Sequence, residues 1–520
     1  MTMDDGRRTT AGARSLPVVY RLSSVAVVAA SLFAAMYFVT ALLRIFYPYD
    51  LDFIEDSMLI QSLRFALGQP VYIAPSIEFV PHVYMPLYSW LGGLLFRVFG
   101  VSYVPLRLLS FAATLTTAAL IFYIAQREGG ERWLAFVCAG LYLGGYRITG
   151  FWNELARVDS LFVALSMCGL VLGLYARPEG SSKTLRVLSA AVVLALAFFA
   201  KQTALAFGVG LAVYLLMTLG RRAWVFIGTL VGIIAVGLGV LNTATGGWFA
   251  YHTFLIAGAD RVEIGRVFHY IGFELFGVMA GLSVIAVVAA GIGWRRSGVG
   301  VLRSQPWLLM IGVAAIISGT GRASVGGNVN NLMAVYALLC IAPALLWKEI
   351  HREAAKDAKN TKSILAPFAS SRLSSGKAAI VTAVVLIQFA LGAYNPLRYI
   401  PTTQMRESGD RLSERIRSID GEVLVMMHPY YAWLADKGPS AQIAEIWYLH
   451  AWSGVPLPQD FVDRIRERYY AVIVSSESMF ETDPEIQGLI EQYYVRAEMI
   501  DGPPTMTGMV VRPSVIYVPK

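Results

Sequence analysis

The sequence predicts a mainly α-helical, polytopic membrane protein of about eleven transmembrane helices with a small α/β domain at its C-terminal end. Three observations carry this. Mean hydropathy is +0.57 and only 15% of the 520 residues are charged, far from the balance of a soluble enzyme. Uncharged apolar runs of about twenty residues, long enough to cross a bilayer, recur from Ser23 onward. After Asn395 the chain turns polar and short β-rich runs appear. The net charge of +8 resides mostly in short loops between apolar runs, a pattern of membrane topology and not of nucleic-acid binding. Cys138, Cys168 and Cys340 lie inside apolar runs and read as small core residues, with no disulfide framework.

Taken in order, residues 1–22 carry Arg7, Arg8, Arg14 and Arg21 and read as a cytoplasmic N-terminus. Ser23 to Leu43 holds no charge. It exceeds a typical signal h-region and reads as an uncleaved first helix, opening a membrane domain over 23–394. Residues 46–102 form a long first loop. It begins with Asp50-Leu51-Asp52-Phe53-Ile54-Glu55-Asp56, four carboxylates in seven residues. Like charges so close repel one another and resist desolvation. They mark either a solvated membrane edge or an active site. Ser57 to Leu67 follows with helical apolar spacing, ended by Gly68 and a Gln69-Pro70 turn. Met85 to Phe99, with Pro86 and Arg97, is short for a span and reads as interfacial.

Further spans are expected near 104–125, 133–152, 159–176, 184–200, 203–219, 223–241, 271–294, 306–321, 331–347 and 378–394. With the N-terminus inside and 85–99 not spanning, most basic clusters fall on one side. They include Arg127 and Arg132, Arg177, Lys183 and Arg186, Arg221 and Arg222, and Arg295, Arg296 and Arg303. Arg261, Arg266 and Arg322 are exceptions. Residues 348–377 read as a basic, flexible inside loop. The unusual polar residues then gather outside with the acidic loop: Arg157 and Asp159, Lys201 and Gln202, His252, and Asn328, Asn330 and Asn331. Residues 395–520 form the outer α/β domain. Strands are expected at 422–426, 470–475 and near 515–518, with helical patterns between them, as at 460–465.

A carboxylate against a hydroxyl can act as a general base. If the hydroxyl attacks a sugar anomeric carbon, one base and a good leaving group suffice for an inverting displacement. A phosphate leaving group needs cations for its developing charge, and Lys201, Arg157 and Arg107 are the candidates. Each has a plainer reading beside it. Lys201 can snorkel from a helix end, Asp159 can pair with Arg157 to position a helix, and Gly326-Gly327-Asn328 can be a mere turn. His252, a single histidine without partners, reads as structural or interfacial.

At these residues the chain resembles the GT-C class of membrane glycosyltransferases, with the protein O-mannosyltransferases and lipid A aminoarabinose transferases. The resemblance runs over residues 45–335. An Asp-x-x-Glu-type acid lies at Asp52 to Glu55, followed by Gly68-Gln69-Pro70-Val71-Tyr72 and then Tyr84-Met85-Pro86-Leu87-Tyr88. Arg107-Leu108-Leu109-Ser110, Ala156-Arg157-Val158-Asp159, Ala200-Lys201-Gln202-Thr203 and a Gly326-to-Asn330 turn complete the order. Met85 replaces the first proline of the family element. Asp56 stands where small residues are common. Asn331-Leu332-Met333-Ala334 lacks an aromatic and an acid expected after the asparagines.

The resemblance implies a polyprenyl-phosphate-linked sugar donor, a glycan, lipid or protein acceptor, and a site on the extracytoplasmic face of an inner membrane. The expected base is Glu55, with Asp52 and Asp56 as alternatives. Asp159, Arg157, Lys201, Gln202, Tyr84, Arg107, Asn328 and Asn330 are the expected substrate contacts. A divalent cation is permitted by the clustered acids and demanded by no ligand spacing. A transporter would instead place charges near the bilayer midplane in two related halves, and no internal repeat is present. A lipid-phosphate ligase and a non-catalytic scaffold are the other rivals.

Overall fold

The computed structural model describes residues 10–176, 182–360 and 366–520. Arg7, Arg8, Arg177 and Lys362 lie outside the described residues.

Helix α1 (Thr10–Ile45) leads into α2 (Phe53–Leu67), α3 (Leu87–Phe99), α4 (Tyr103–Gly129) and α5 (Arg132–Gly144). Then follow α6 (Val158–Leu174), α7 (Ser182–Ala200), α8 (Leu205–Leu219) and α9 (Ala223–Ala244). Seven helical stretches are long and apolar enough to cross a membrane, and four apolar helices are shorter, among the described residues. The expected count of eleven spans is therefore not established. At about 1.5 Å per residue, the 13-residue α3 is about 20 Å long. That is too short to cross unaided, and it packs along α2.

Three segments differ in shape from expectation. The run 133–152 stops at Gly144, and an irregular segment occupies 145–157 before α6. The run 331–347 is split into Met333–Leu339 and Ala342–Asn360. Pro343 stands in the first turn of the second piece, where its missing N–H costs nothing. The 348–377 segment, expected as a loop, is helical over Ala342–Asn360 and again over Ala366–Leu391. Alanine, lysine and glutamate are strong helix formers, and that propensity outweighs the segment's low hydrophobicity.

The C-terminal part builds a four-stranded sheet from β1 (Glu422–Val425), β2 (Tyr470–Ser475), β3 (Tyr494–Met499) and β4 (Val515–Pro519), in the order β1-β2-β4-β3. β1 and β2 are parallel, and β4 runs antiparallel to both β2 and β3. Strand β3 is an edge strand, mostly exposed, with Arg496 and Glu498 in it. Its charges conceal it from a hydrophobicity pattern and blunt an open edge.

This domain sits on the first loop. Tyr49 donates to Asp410 at 2.6 Å, and Ser57 donates to Gln442 and to Glu445 at 2.6 Å. The N–H groups of Met506 and Thr507 both reach the Leu51 carbonyl at 2.9 Å. The acidic stretch is thus sealed between membrane helices and the sheet domain, where the sequence left open a solvated edge.

Candidate active site

Asp52 starts α2. Its backbone is extended, and its side chain accepts from the Ile54 N–H at 3.2 Å, satisfying a free donor at the positive end of the helix. Glu55 and Asp56 thereby fall in the first turn, and the three acids part ways.

Glu55 turns inward and is wholly buried. Arg107 grips it with two parallel bonds, Nε to Oε1 at 2.8 Å and Nη2 to Oε2 at 2.6 Å. The N–H groups of Leu51 and Ala156 add one bond each at 2.7 Å. Arg107 spends its remaining donors on the carbonyls of Arg44, Tyr47 and Tyr49. Burial pushes the Glu55 carboxyl up, but the Arg107 charge and the hydrogen bonds outweigh it and hold the group below its usual range. Neither residue lines the open cavity. Glu55, expected as the base, and Arg107, expected as a phosphate contact, are here bonded to one another. Every lone pair and donor of the pair is taken up in joining α2, α4 and the 145–157 segment.

Asp56 is also sealed, facing the C-terminal domain. Its Oδ2 accepts from the Tyr430 N–H at 3.4 Å, and Oδ1 has no partner. Burial, then the nearby Asp50 charge, push its carboxyl well up. Asp50 itself meets His428 Nδ1 at 2.9 Å.

Of the three expected acids only Asp52 lines the polar cavity, which has a volume of about 280 Å³. Its Oδ1 accepts from Arg157 Nη1 at 2.6 Å and its Oδ2 from Trp152 Nε1 at 3.1 Å. Burial raises its carboxyl more than Arg157 lowers it, leaving it above the ordinary aspartate value. Arg157 continues the chain of contacts. Its Nη2 donates to the Tyr84 hydroxyl at 3.1 Å, and its Nε lies 3.5 Å from Asp159. Asp159 accepts from Lys201 Nζ at 2.7 Å and from Asn330 at 3.1 Å. Lys201 also reaches Asn331 at 3.1 Å.

Backbone breaks place these groups. Lys201 follows the end of α7 in an extended conformation, so its ammonium enters the cavity and does not continue the helix face. Asn328 caps the short turn after it, accepting from the Val329 N–H at 2.8 Å, and lines the cavity. Arg266 and Arg322, exceptions to the charge rule, both donate to the Gly327 carbonyl and hold that turn. Gln202 spans the carbonyls of Val83 and Thr253 at 3.1 and 3.0 Å, a positioning contact at the rim. Trp152 is delivered by a left-handed pair, Gly150 at φ 74° and Phe151 at φ 65°. The phenylalanine is strained there, and a Cβ on Gly150 would strike Val329 at 2.4 Å. Gly508, at φ 71°, brings the C-terminal chain against Asp52, whose Oδ2 would be 2.7 Å from a Cβ.

The structure therefore brings Asp52, Arg157, Lys201, Tyr84, Asn328 and Asn330 to one cavity, with Asp159 behind them. Sequence reasoning missed Trp152, His82, Asp260, Tyr448 and Trp452, which also line it. Trp152 was hidden inside an expected span, and His82 stands two residues before Tyr84 in the Tyr-Met-Pro element. Tyr448 and Trp452 come from the C-terminal domain with no sequence signal. His252, read as structural, meets the Ile73 carbonyl at 2.9 Å and lies outside the cavity lining. Beside the cavity an apolar groove of about 720 Å³ runs between the α2–α3 connection, α7 and α9. Phe199 lines the groove, and Lys201, two residues on, lines the cavity.

Residues 81–260 match the family model described as dolichyl-phosphate-mannose-protein mannosyltransferase. No curated protein matches the sequence. ArnT from Cupriavidus metallidurans in the apo state is similar in structure, with a TM-score of 0.61 at 15% identity over 94% of this chain and 97% of that one. ArnT bound to undecaprenyl phosphate matches with a TM-score of 0.59 at 14% identity and the same coverage. The apo oligosaccharyltransferase from Archaeoglobus fulgidus gives a TM-score of 0.51 at 13% identity over 92% of this chain and 73% of that one. The matched segment spans Tyr84, Arg157 and Lys201, and the shared fold spans nearly the whole chain. Over residues 81–260 the chain is thus similar to that mannosyltransferase family, and its fold is that of ArnT.

Proposed function

We propose that the protein transfers a sugar from a polyprenyl-phosphate-linked donor to an acceptor hydroxyl, with inversion, on the extracytoplasmic face of a cell membrane. The observation that carries this reading is the pairing of an apolar groove, lined by Phe199, with a polar cavity, lined by Lys201 two residues on. The cavity holds two cations and two carboxylates, and the pair suits a lipid chain with a phosphate head. The undecaprenyl phosphate bound to ArnT, a protein of the same fold, supports it.

In this reading the lipid lies in the groove, and Lys201 and Arg157 hold the phosphate. The N-terminus is cytoplasmic and the sheet domain extracytoplasmic, which puts most basic clusters between helices inside. The base is Asp52 and not Glu55. It alone of the first-loop acids lines the cavity, and a carboxyl raised above its ordinary value is a stronger proton acceptor than a free aspartate. The acceptor oxygen attacks the anomeric carbon as Asp52 takes its proton. The carbon–oxygen bond to phosphate breaks with its electron pair staying on the phosphate. The cations, in a site shielded from water, stabilise that charge most as it develops. Asp159 orients both cations. Among the described residues no three His, Cys, Asp or Glu side chains group as metal ligands do.

The test is to profile lipids by mass spectrometry in cells lacking the protein. A polyprenyl-phosphate sugar should accumulate. Wild-type protein should clear it, and Asp52→Asn should not, since loss of a base typically slows a reaction by about 10²–10⁴-fold. No accumulation in the null cells would sink the proposed activity. Clearance by Asp52→Asn would remove Asp52 as base.

A further inference from the structure

His82 and Glu445 form a pair that the reading above does not use. Glu445 belongs to the C-terminal helix Ile443–Trp447 and is buried. His82 belongs to the first loop, is buried and is among the residues lining the polar cavity. The two meet at 2.6 Å, His82 Nδ1 to Glu445 Oε1. Ser57 also donates to that oxygen at 2.6 Å, and the His82 N–H donates to Gln61 at 3.1 Å. The His82 backbone and ring are thus each held by one hydrogen bond, and the ring packs edge-on against Tyr84, with centroids 4.3 Å apart. Among the described residues the hydrogen bond of the His82 ring is the one at Nδ1, which leaves Nε2 as its other proton-bearing position.

The charges of the cavity give this nitrogen a task. Arg157 is already answered by Asp52, and Lys201 by Asp159. Asp260 adds a further carboxylate to the lining. A lipid phosphate would share each cation with a carboxylate already bound to it. Among the described lining residues, His82 is the one histidine, a side chain that can both hold and pass a proton. Glu445 supplies the buried counter-charge, and a carboxylate behind an imidazole fixes which nitrogen faces forward.

We propose that His82, held by Glu445, donates a proton from Nε2 to the phosphate as it leaves, so that the C-terminal domain completes the catalytic site. This rests on the lipid-phosphate reading above. The acceptor oxygen bonds to the anomeric carbon and its proton passes to Asp52. The bond from that carbon to the phosphate oxygen breaks, the electron pair stays on the oxygen, and the Nε2 proton moves to it. Asp52 then returns its proton to solvent and His82 takes one up. His82 is the catalytic acid and Glu445 a positioning residue.

The titratable groups near the pair are Tyr84 on the same loop, Tyr448 and His252 facing Glu445, and Arg157 beyond Tyr84. The test uses purified full-length protein in lipid nanodiscs with farnesyl phosphate and farnesyl sulfate. The sulfate keeps one charge throughout, so its pH dependence reports the protein. Affinity for the sulfate should fall about ten- to a hundredfold as pH rises, because a charge-assisted hydrogen bond is lost with the imidazolium. His82→Gln should bind weakly and without that dependence. Glu445→Gln should move the fall to lower pH, and Asp52→Asn should keep it. A flat wild-type profile needs no variant to interpret and would overturn the proposal, as would an unchanged profile in His82→Gln. Failure of the wild type to bind either ligand would overturn the lipid-phosphate reading, and this one with it.

Discussion

Replacing Glu55 by glutamine tests the reassignment of the first-loop acids most directly. In the structure its carboxylate receives four hydrogen bonds, two of them from a guanidinium that is itself wholly buried. Glutamine keeps the size but turns one acceptor into a donor facing Arg107, and it leaves that charge with backbone carbonyls alone. Removing one member of a buried pair costs about 3–5 kcal/mol. Thermal unfolding of the purified variant should show a loss of that order. The fraction that remains folded should retain transfer within a few-fold, measured as clearance of the accumulated lipid-linked sugar per folded molecule. Arg107→Met should destabilise comparably. The double variant should lose less than the sum, because the second change no longer strands a charge. The pH dependence has a definite sign. The folded carboxyl is held below its unfolded value, so its stabilisation is complete above the ordinary glutamate range and is lost as pH falls through the lower folded value. The wild type should therefore lose more stability in acid than Glu55→Gln does. A Glu55→Gln protein of undiminished stability but without transfer would refute this reasoning and restore Glu55 as the base.

Asp56→Asn should stabilise the protein at neutral pH, measured by thermal unfolding. The folded Asp56 carboxyl is pushed up by burial and by Asp50, so its cost is absent below the ordinary aspartate range and grows as pH rises toward its raised value. A neutral amide avoids that cost, and a loss of stability would contradict the account. Lys201→Ala should weaken binding of farnesyl phosphate, with partial recovery in Lys201→Arg. Unchanged binding in Lys201→Ala would leave Arg157 as the main phosphate cation.

The sequence by itself determined the membrane class, the first helix and the approximate place of most later ones. Hydropathy and helical period are local properties, and a bilayer enforces them one segment at a time. It also located the end of α2 at Gly68 and three of the four C-terminal strands. The order of short motifs marked Asp52, Arg157, Lys201 and Asn330 as residues to watch. Only the tertiary structure divided the labour among the acids. Asp52, Glu55 and Asp56 are chemically alike and lie within one helical turn, so each faces a different neighbour. One caps the helix and lines the cavity, one is clasped by Arg107, and one lies sealed against the C-terminal domain. Arg107 read as a free cation because nothing near it in sequence is acidic; its partner is 52 residues away. The span expected at 133–152 ended early because the segment after Gly144 must deliver Trp152 and the Ala156 N–H to the acids, a demand no local pattern carries. Tyr448, Trp452 and Glu445 reach the site only when the C-terminal domain docks on the first loop, the Ser57–Glu445 contact joining residues 388 apart in the chain. Such contacts depend on long-range burial and complementary charge, and burial is decided by the whole fold, not by the residues on either side.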